Sequence, residues 1–190
     1  WCDHAIYKGV APNGKAMYWY GGDHGEYPHD VNFCMDGLVY PDRTPHNGLK
    51  EFKNVQRPAR VVYYSQETGE LILRNYMDYM NLADYITASF ELTCDGISVA
   101  SGNVAIPSVA PHGTGITNIT ADIPSLGKCF LKISYFLKND TTMLKAGFPV
   151  GFDEISLTNN DARNQTAAKL LEAPATTGAV RVDDGVRYLD

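Results

Sequence analysis

Four side chains that could take part in acid–base or metal chemistry, His24, Glu26, His29 and Asp30, lie close together in one short segment. Glycine and proline interrupt this segment, so its two histidines do not share a helix face as those of a zinc-protease motif do. The His-Gly-Glu triplet matches half of a zinc-deaminase signature, but the Pro-Cys-x-x-Cys half is absent from the sequence. We therefore expect a polar, turn-rich surface loop.

No other pattern of a known catalytic chemistry is present. The sequence contains no G-x-S-x-G, no Walker loop and no G-x-G-x-x-G, which removes the main support for those hydrolase and nucleotide-binding classes. Adjacent acids occur at Asp153-Glu154 and Asp183-Asp184. Because neighbouring residues of a strand face opposite sides, neither pair can act jointly on one substrate, and solvated surface acids are expected. The residue patterns thus identify no catalytic residue, and the substrate-binding residues are unknown.

Charge and cysteine usage exclude several classes of partner. The 190 residues include 16 Lys and Arg against 22 Asp and Glu, a formal net charge of −6. Nucleic-acid binding requires clustered cations, so no nucleic-acid partner is expected. No apolar run approaches the roughly 18 residues of a membrane span, so no membrane partner is expected either. The distant cysteines Cys2, Cys34, Cys94 and Cys129 have neither zinc nor disulfide spacing, which favours four thiols in a reducing cytoplasm.

The elements that must position these residues change character along the chain. Residues 1–57 are aromatic and irregular, and frequent Gly and Pro keep regular elements short. The clearest helix is predicted to begin near Thr44-Pro45, where Thr44 can cap it and proline fits the first turn. Leu49, Phe52 and Val55 then recur at helical spacing.

From residue 60 to residue 157 the pattern changes to a period of two, which is typical of strands. Asp95-Gly96 predicts a two-residue hairpin turn, because both central residues of a type I′ turn need positive φ. Alternating apolar residues mark one buried face: Cys129, Leu131, Ile133, Tyr135 and Leu137. The predicted strands cover 60–65, 70–76, 86–94, 97–104, 115–123, 128–137 and 152–157. They predict a mainly β fold, an immunoglobulin-like seven-stranded antiparallel sandwich.

The last part of the chain is predicted to hold a polar linker at 158–165 and a short element at 166–172 that is either a helix turn or a strand. Residues 180–189 alternate again and are typical of a hairpin. The chain opens on Trp1 with no Met and no signal-peptide pattern, so we expect a fragment of a longer protein.

A resemblance to a known family lies in residues 21–53, which read GGDHGEYPHDVNFCMDGLVYPDRTPHNGLKEFK. This segment resembles the one that closes the catalytic barrel in large bacterial β-galactosidases of glycoside hydrolase family 2. The pattern there is approximately GGD-F-G-(D/E)-x-P-x-D-x-x-F-C-x-(N/D)-G-(L/I)-V-x-x-D-R-x-P-H-P. His24 replaces the usual Phe, which changes the local packing.

The resemblance implies a domain organisation. Residues 1–57 would be the loop-rich C-terminal end of the family's (β/α)8 barrel, with residues 1–6 similar to the end of its last strand. Residues 58–158 would be the family's fourth domain, an immunoglobulin-like sandwich. Residues 159–190 would be a linker and the start of the C-terminal β-sandwich domain.

The resemblance also implies a function for the parent protein, which is hydrolysis of terminal non-reducing β-D-galactose residues with retention. A retaining glycosidase needs two carboxylates, and in the family these glutamates lie on barrel strands upstream of Trp1. No Asn-Glu dipeptide occurs here, and Glu26 and Glu51 match no catalytic position. The chain alone is therefore expected to be inactive, to contain no catalytic residue and to serve as a structural linker region, with a β-galactoside substrate bound by the parent only.

The rival interpretation is a non-catalytic β-sandwich module that binds carbohydrate or another protein. Such a module has no reason to carry residues 21–53, so this segment favours the enzyme. The two interpretations separate on whether a barrel with an Asn-Glu motif precedes Trp1 in the reading frame.

A metal site is implied by the same resemblance. The family binds an alkali-metal ion, commonly Na⁺, through a backbone oxygen of the Phe in F-C and the Asn three residues later, which correspond to Phe33 and Asp36. Asp36 adds a negative charge, which favours tighter or divalent binding. Na⁺ and also Mg²⁺ are thus expected in the parent and no cofactor in the chain alone. Asp42, Arg43 and His46 are expected to fix a loop by charge-assisted hydrogen bonds.

A cut barrel leaves apolar surface uncovered. Trp1, Ile6, Tyr20 and Phe33 belong to this remnant. We expect it to dock on the sandwich or to form a homodimer, because large exposed apolar patches are rare on monomers.

Overall fold

The computed structural model describes residues 1–31 and 36–157, Lys169, and the backbone of two strands at 180–183 and 186–189. The predicted linker at 158–165 and the predicted element at 166–172 lie outside the described residues apart from Lys169. Within the described part of the chain, no helix is long and apolar enough to cross a membrane.

The first part of the chain forms a hairpin and one helix. Strands β1 (Ile6–Val10) and β2 (Ala16–Trp19) pair antiparallel, and helix α1 spans Asn47–Val55. Short elements are what the frequent Gly and Pro predicted. The chain end is joined to a later turn by an isolated parallel bridge between Cys2 and Val39.

Seven antiparallel strands and one short helix follow. They are β3 (Ala59–Tyr64), β4 (Glu70–Asn75), α2 (Leu82–Tyr85), β5 (Ile86–Cys94), β6 (Ile97–Val104), β7 (Thr114–Asn118), β8 (Cys129–Leu137) and β9 (Pro149–Ser156). One sheet has the order β3-β4-β7 and the other the order β6-β5-β8-β9. The predicted mainly β fold with a seven-stranded antiparallel sandwich is therefore confirmed. Two further strands, β10 (Val180–Asp183) and β11 (Val186–Leu189), form the hairpin expected at 180–189.

The core lies between the two sheets and follows the sequence alternation. Every second residue of β8, from Cys129 to Leu137, is buried, and the residues between them are partly exposed. Leu71 and Leu73 of β4 are fully buried in the same cluster. Removal of such aliphatic side chains from water is the main favourable term in folding, so the buried faces of β4 and β8 hold the two sheets together.

The hairpin between β5 and β6 has the predicted turn. Asp95 and Gly96 both have positive φ, 49° and 80°. Asp95 also accepts a hydrogen bond from the Lys128 N–H at 2.8 Å through its carboxylate. The turn is therefore tied to the chain segment that leads into β8.

Two predicted strands differ from the structure by more than one residue at an end. The strand predicted at 115–123 ends at Asn118, after which Ile119 is buried in the core and its N–H donates to Gly69 O at 2.9 Å. The strand predicted at 152–157 is β9, which begins at Pro149 instead of residue 152. Proline is tolerated as the first residue of a strand, and a register shift opposite Tyr135 accommodates Gly151.

The predicted start of α1 is also wrong. The N-cap is His46, and Thr44 lies outside the helix. The Thr44 hydroxyl instead donates to Asp42 Oδ1 at 2.7 Å, and a bridge between Val39 and Pro45 keeps that stretch extended. The proline therefore precedes the helix by two residues, because tertiary pairing overrides the local capping signal.

Candidate functional site

The buried carboxylate of Asp3 holds together the part of the chain around the predicted metal ligand Asp36. Its Oδ2 lies 2.7 Å from His46 Nε2, and its Oδ1 accepts the Gly37 N–H at 2.7 Å. Burial raises the pKa of Asp3, but the bonds from His46 and Gly37 outweigh it and leave the pKa below its usual value. Asp3 therefore stays ionised and acts as an anchor for two separate parts of the chain.

This anchor fixes the turn that follows Asp36. The N–H of Leu38 donates to Trp1 O at 2.7 Å, in the same way as the Gly37 N–H donates to Asp3. A Cβ on Gly37 would lie 2.5 Å from the Asp3 backbone nitrogen, so only glycine permits this approach. Asp36 itself is exposed. The exposed carboxylate thus stands beside the chain end, on a turn that cannot shift freely.

Of the two predicted metal ligands, Phe33 and Asp36, the structure describes only Asp36. Phe33 lies outside the described residues, whereas Asp36 is a hard oxygen donor of the kind that alkali and alkaline-earth ions accept. Among the described residues, no group of three or more His, Cys, Asp or Glu is arranged to hold a metal ion. Asp36 therefore fits as a single ligand of a larger set, and the metal site stays a prediction.

The loop with His24 and His29 has turn conformations and mostly exposed side chains. Its two imidazoles contact different partners: His24 lies edge-on to Trp19 at 5.2 Å between centroids, and the Val31 N–H donates to His29 Nδ1 at 3.2 Å. The Glu26 carboxylate accepts the N–H groups of two loop residues, Gly22 and His24, at 2.6 and 3.0 Å. These bonds hold the pKa of Glu26 below its usual value, so Glu26 stabilises the loop and is a poor general acid.

A cleft of about 560 Å³ lies between this loop and the chain end, lined among others by Asp3, Trp19, His24, Glu26 and Arg43. It combines flat aromatic surface with polar groups. The Arg43 guanidinium contacts Cys2 Sγ, so its partner is a sulfur atom where a carboxylate was expected.

Asp42 and His46 fix the loop, as predicted from their types. Asp42 accepts both the hydroxyl and the N–H of Thr44, at 2.7 and 2.9 Å, and these bonds lower its pKa. The His46 ring stacks against Tyr40 with centroids 3.7 Å apart while it contacts Asp3. The contacts of Asp42 are thus structural ones within the loop, and those of His46 also join the loop to Asp3.

A second carboxylate, Asp153, joins α1 to the sandwich. Its Oδ1 accepts Arg57 Nη2 at 2.6 Å, and its Oδ2 accepts the Val61 N–H at 3.0 Å and the Tyr135 hydroxyl at 2.7 Å. Burial, the charge of Asp153 and this hydrogen bond raise the pKa of Tyr135 well above its ordinary value. The prediction of a solvated surface acid is therefore wrong for Asp153, although it holds for the exposed Glu154.

Helix α1 packs directly on β9 beside this carboxylate. The Phe152 N–H donates to Asn54 Oδ1 at 2.8 Å. Gly151 has φ +155°, and a Cβ there would lie 2.4 Å from Arg57 Cβ. The sequence carried no local signal for this junction, because its partners are separated by 96 residues at Arg57–Asp153.

Comparisons with known proteins identify two family matches along the chain. Residues 1–61 match the family described as "Glycosyl hydrolases family 2, TIM barrel domain", and residues 71–158 match "Beta-galactosidase, domain 4". Both matches place the chain in glycoside hydrolase family 2, to which it belongs.

Within that family its relatives are β-galactosidases. It is 41% identical over 157 residues to the β-galactosidase of Actinobacillus pleuropneumoniae and 34% identical over 155 residues to that of Staphylococcus xylosus, covering 83% and 82% of this chain. A β-galactosidase 2 of Enterobacter cloacae is 30% identical over 94% of the chain. The chain spans 15%, 15% and 16% of the length of these relatives.

Replacement of Asp153 by Ala is expected to lower the free energy of unfolding by about 3 kcal/mol. The Arg57 guanidinium and the buried Tyr135 hydroxyl would both lose their acceptor. Urea unfolding of the purified chain measures this. Glu154→Ala on the same strand is the matched control and is expected to change stability by less than about 0.5 kcal/mol. Equal effects of the two substitutions would contradict the role given to Asp153.

The Asp3 anchor predicts a pH dependence. Because its pKa is lower in the folded chain than the usual 3.8, its contribution to stability is present above that value and is lost as the pH falls through the folded-state pKa. Asp3→Asn is therefore expected to be less stable than the unsubstituted chain at pH 6, and the difference is expected to shrink as the pH falls through the folded-state pKa of Asp3. Unfolding curves across this range measure the difference, with the exposed Asp122→Asn as control. A constant difference at every pH would refute the anchor.

Proposed function

We propose that this chain is part of an enzyme that hydrolyses terminal non-reducing β-D-galactose residues with retention, in the cytoplasm. Within that enzyme the chain is the structural link between the end of the catalytic barrel and the domain that follows the sandwich. The observation that carries the linking role is the Asp153 junction, which ties α1 to β9 through Arg57 and Asn54. A junction of this kind transmits the position of the barrel to the sandwich.

The chemistry of hydrolysis needs groups that lie outside this chain. A retaining mechanism uses a pair of carboxylates about 5–5.5 Å apart, one as nucleophile and the other as acid and base. Asp3, Glu26, Asp42 and Asp153 each accept two or more hydrogen bonds from the chain itself, or one such bond and a His contact. These four acids are therefore occupied with structure, and the reacting pair comes from the upstream barrel.

The contribution of this chain to the site is positional. We infer that Asp36 and the backbone oxygen of Phe33 supply part of the ligand set for an alkali-metal ion, Na⁺, with Mg²⁺ as the divalent candidate. A hard cation at that place would bind hydroxyl oxygens of the sugar and balance the charge of Asp36. The bonds from Trp1 and Asp3 to the turn at 37–39 support this proposal, because they hold Asp36 in place.

The activity is tested by comparing two proteins from the same gene. The 190-residue chain is expected to hydrolyse an aryl β-galactoside no faster than buffer, because it lacks the carboxylate pair. The longer protein is expected to hydrolyse it and to release the β-anomer first, as seen by NMR. Turnover by the short chain would refute the linker role. A reading frame without an upstream barrel would refute the enzyme, and retention of the chain on a galactose resin would then favour a carbohydrate-binding module.

We also propose that the isolated chain forms a homodimer through its barrel remnant. Helix α1 docks on the sandwich, but the Trp1 and Ile6 side chains remain 84% and 63% exposed. Apolar surface of this kind is usually covered by a partner. A second copy offers the same surface and can cover it symmetrically.

The dimer predicts a specific mutational effect. Ile6→Asp is expected to shift the chain from dimer to monomer in sedimentation velocity at micromolar concentration, because it places a charge in the apolar contact. Tyr79→Asp, at a 94% exposed residue of the sandwich, is the matched control and should leave the dimer intact. A monomeric original chain under the same conditions would contradict the proposal.

A further inference from the structure

Two cysteines that are distant in sequence face each other across the central strands of the larger sheet. Cys94 of β5 and Cys129 of β8 are paired residues in the antiparallel register, and their Sγ atoms are 2.9 Å apart. The next pair is hydrogen-bonded, since the Asp95 N–H donates to Lys128 O at 2.9 Å. Cys94 and Cys129 therefore form a non-hydrogen-bonded pair, in which Cα atoms approach to about 4.5 Å. That separation lies within the range that a disulfide spans.

The two sulfur atoms differ in access. Cys129 is fully buried in the core, whereas Cys94 is partly exposed at the end of β5. The Cys94 thiol donates to Leu126 O at 3.0 Å in the loop before β8. A Cβ on Gly127 would lie 2.4 Å from Cys94 Sγ, so the glycine leaves this sulfur without a covering side chain at that position. The Cys94 thiol can thus be reached from solvent, and the buried Cys129 thiol lies next to it.

We propose that Cys94 and Cys129 are a reversible oxidative modification site, in which a small-molecule disulfide such as oxidised glutathione converts the two thiols into a cross-strand disulfide. Access makes Cys94 the attacking thiol and Cys129 the resolving one. This site is independent of galactoside hydrolysis and of the metal ligands. The spacing of the cysteines in the sequence does not predict this pair, because strand register brings the two residues together.

The reaction balances in two exchange steps. The Cys94 thiolate, after loss of its proton to water, attacks one sulfur of the small disulfide and expels a small thiolate, which takes up a proton. The Cys129 thiolate then attacks Cys94 Sγ in the mixed disulfide and expels the second small thiolate, which is protonated in turn. Two protein thiols are oxidised and one small disulfide is reduced to two thiols. Closure from 2.9 Å to the S–S bond length of about 2.05 Å needs little movement of either strand.

The cross-link would join residues 35 apart in sequence and enclose β6 and β7. A loop of this length, closed by a bond between strands that already pair, restricts the unfolded chain more than the folded one. The oxidised chain is therefore expected to unfold about 10 °C higher than the reduced chain. The shift is expected to reverse on addition of dithiothreitol.

The test is native incubation of the full chain with oxidised glutathione, followed by alkylation and non-reducing peptide mapping. The expected result is a Cys94–Cys129 linked peptide, a loss of two thiols and the rise in unfolding temperature. Cys94→Ser is expected to abolish all three changes. Cys2→Ser, which removes a cysteine outside the pair, is the matched control and should preserve them.

Two results would overturn the proposal. One is a glutathione adduct on Cys94 that persists without exchange to Cys129. The other is alkylation of both Cys94 and Cys129 in the original chain after the same incubation. Because the peptide map is read on the original chain, the answer does not depend on how well the serine variant folds.

Discussion

The hydrogen bonds of the Asp153 carboxylate are the interaction that joins α1, β3, β8 and β9. It is 11% exposed in its side chain and accepts bonds from a helix-end arginine, a strand N–H and a buried tyrosine. A buried charge is costly unless it is paired and hydrogen-bonded, so the three donors must stay in place together. Arg57, Val61 and Tyr135 belong to the helix end, to β3 and to β8, and one residue of β9 therefore sets the position of three other parts of the chain.

A second carboxylate, that of Asp3, makes similar contacts near the start of α1. Asp3 is also buried, and it joins His46 before α1 to Gly37 after Asp36. In both places a carboxylate accepts hydrogen bonds from distant parts of the chain. These two anchors lie on either side of α1 in the sequence, at His46 before the helix and at Arg57 after it.

The contacts of Asp153 join the parts of the chain that match the two family models. The family matches assign its first third to the barrel domain and residues 71–158 to domain 4. Catalysis depends on positioning as well as on reacting groups, and small displacements of positioning residues are costly. The hydrogen bonds of Asp153 are contacts of the kind that fix such a position between the two matched parts of the chain.

Local signals along the chain were sufficient to predict the faces of the strands, the Asp95-Gly96 turn and, through the pattern at 21–53, the family. These features depend on local periodicity, on φ preferences or on a continuous motif, and all three can be read along the chain. Contacts between distant residues account for the largely buried carboxylate of Asp153, for the absence of a Thr44 cap on α1 and for the approach of Cys94 to Cys129. Periodicity tells which side of a strand a residue faces, but its partner is set by strand register and packing between residues far apart in sequence.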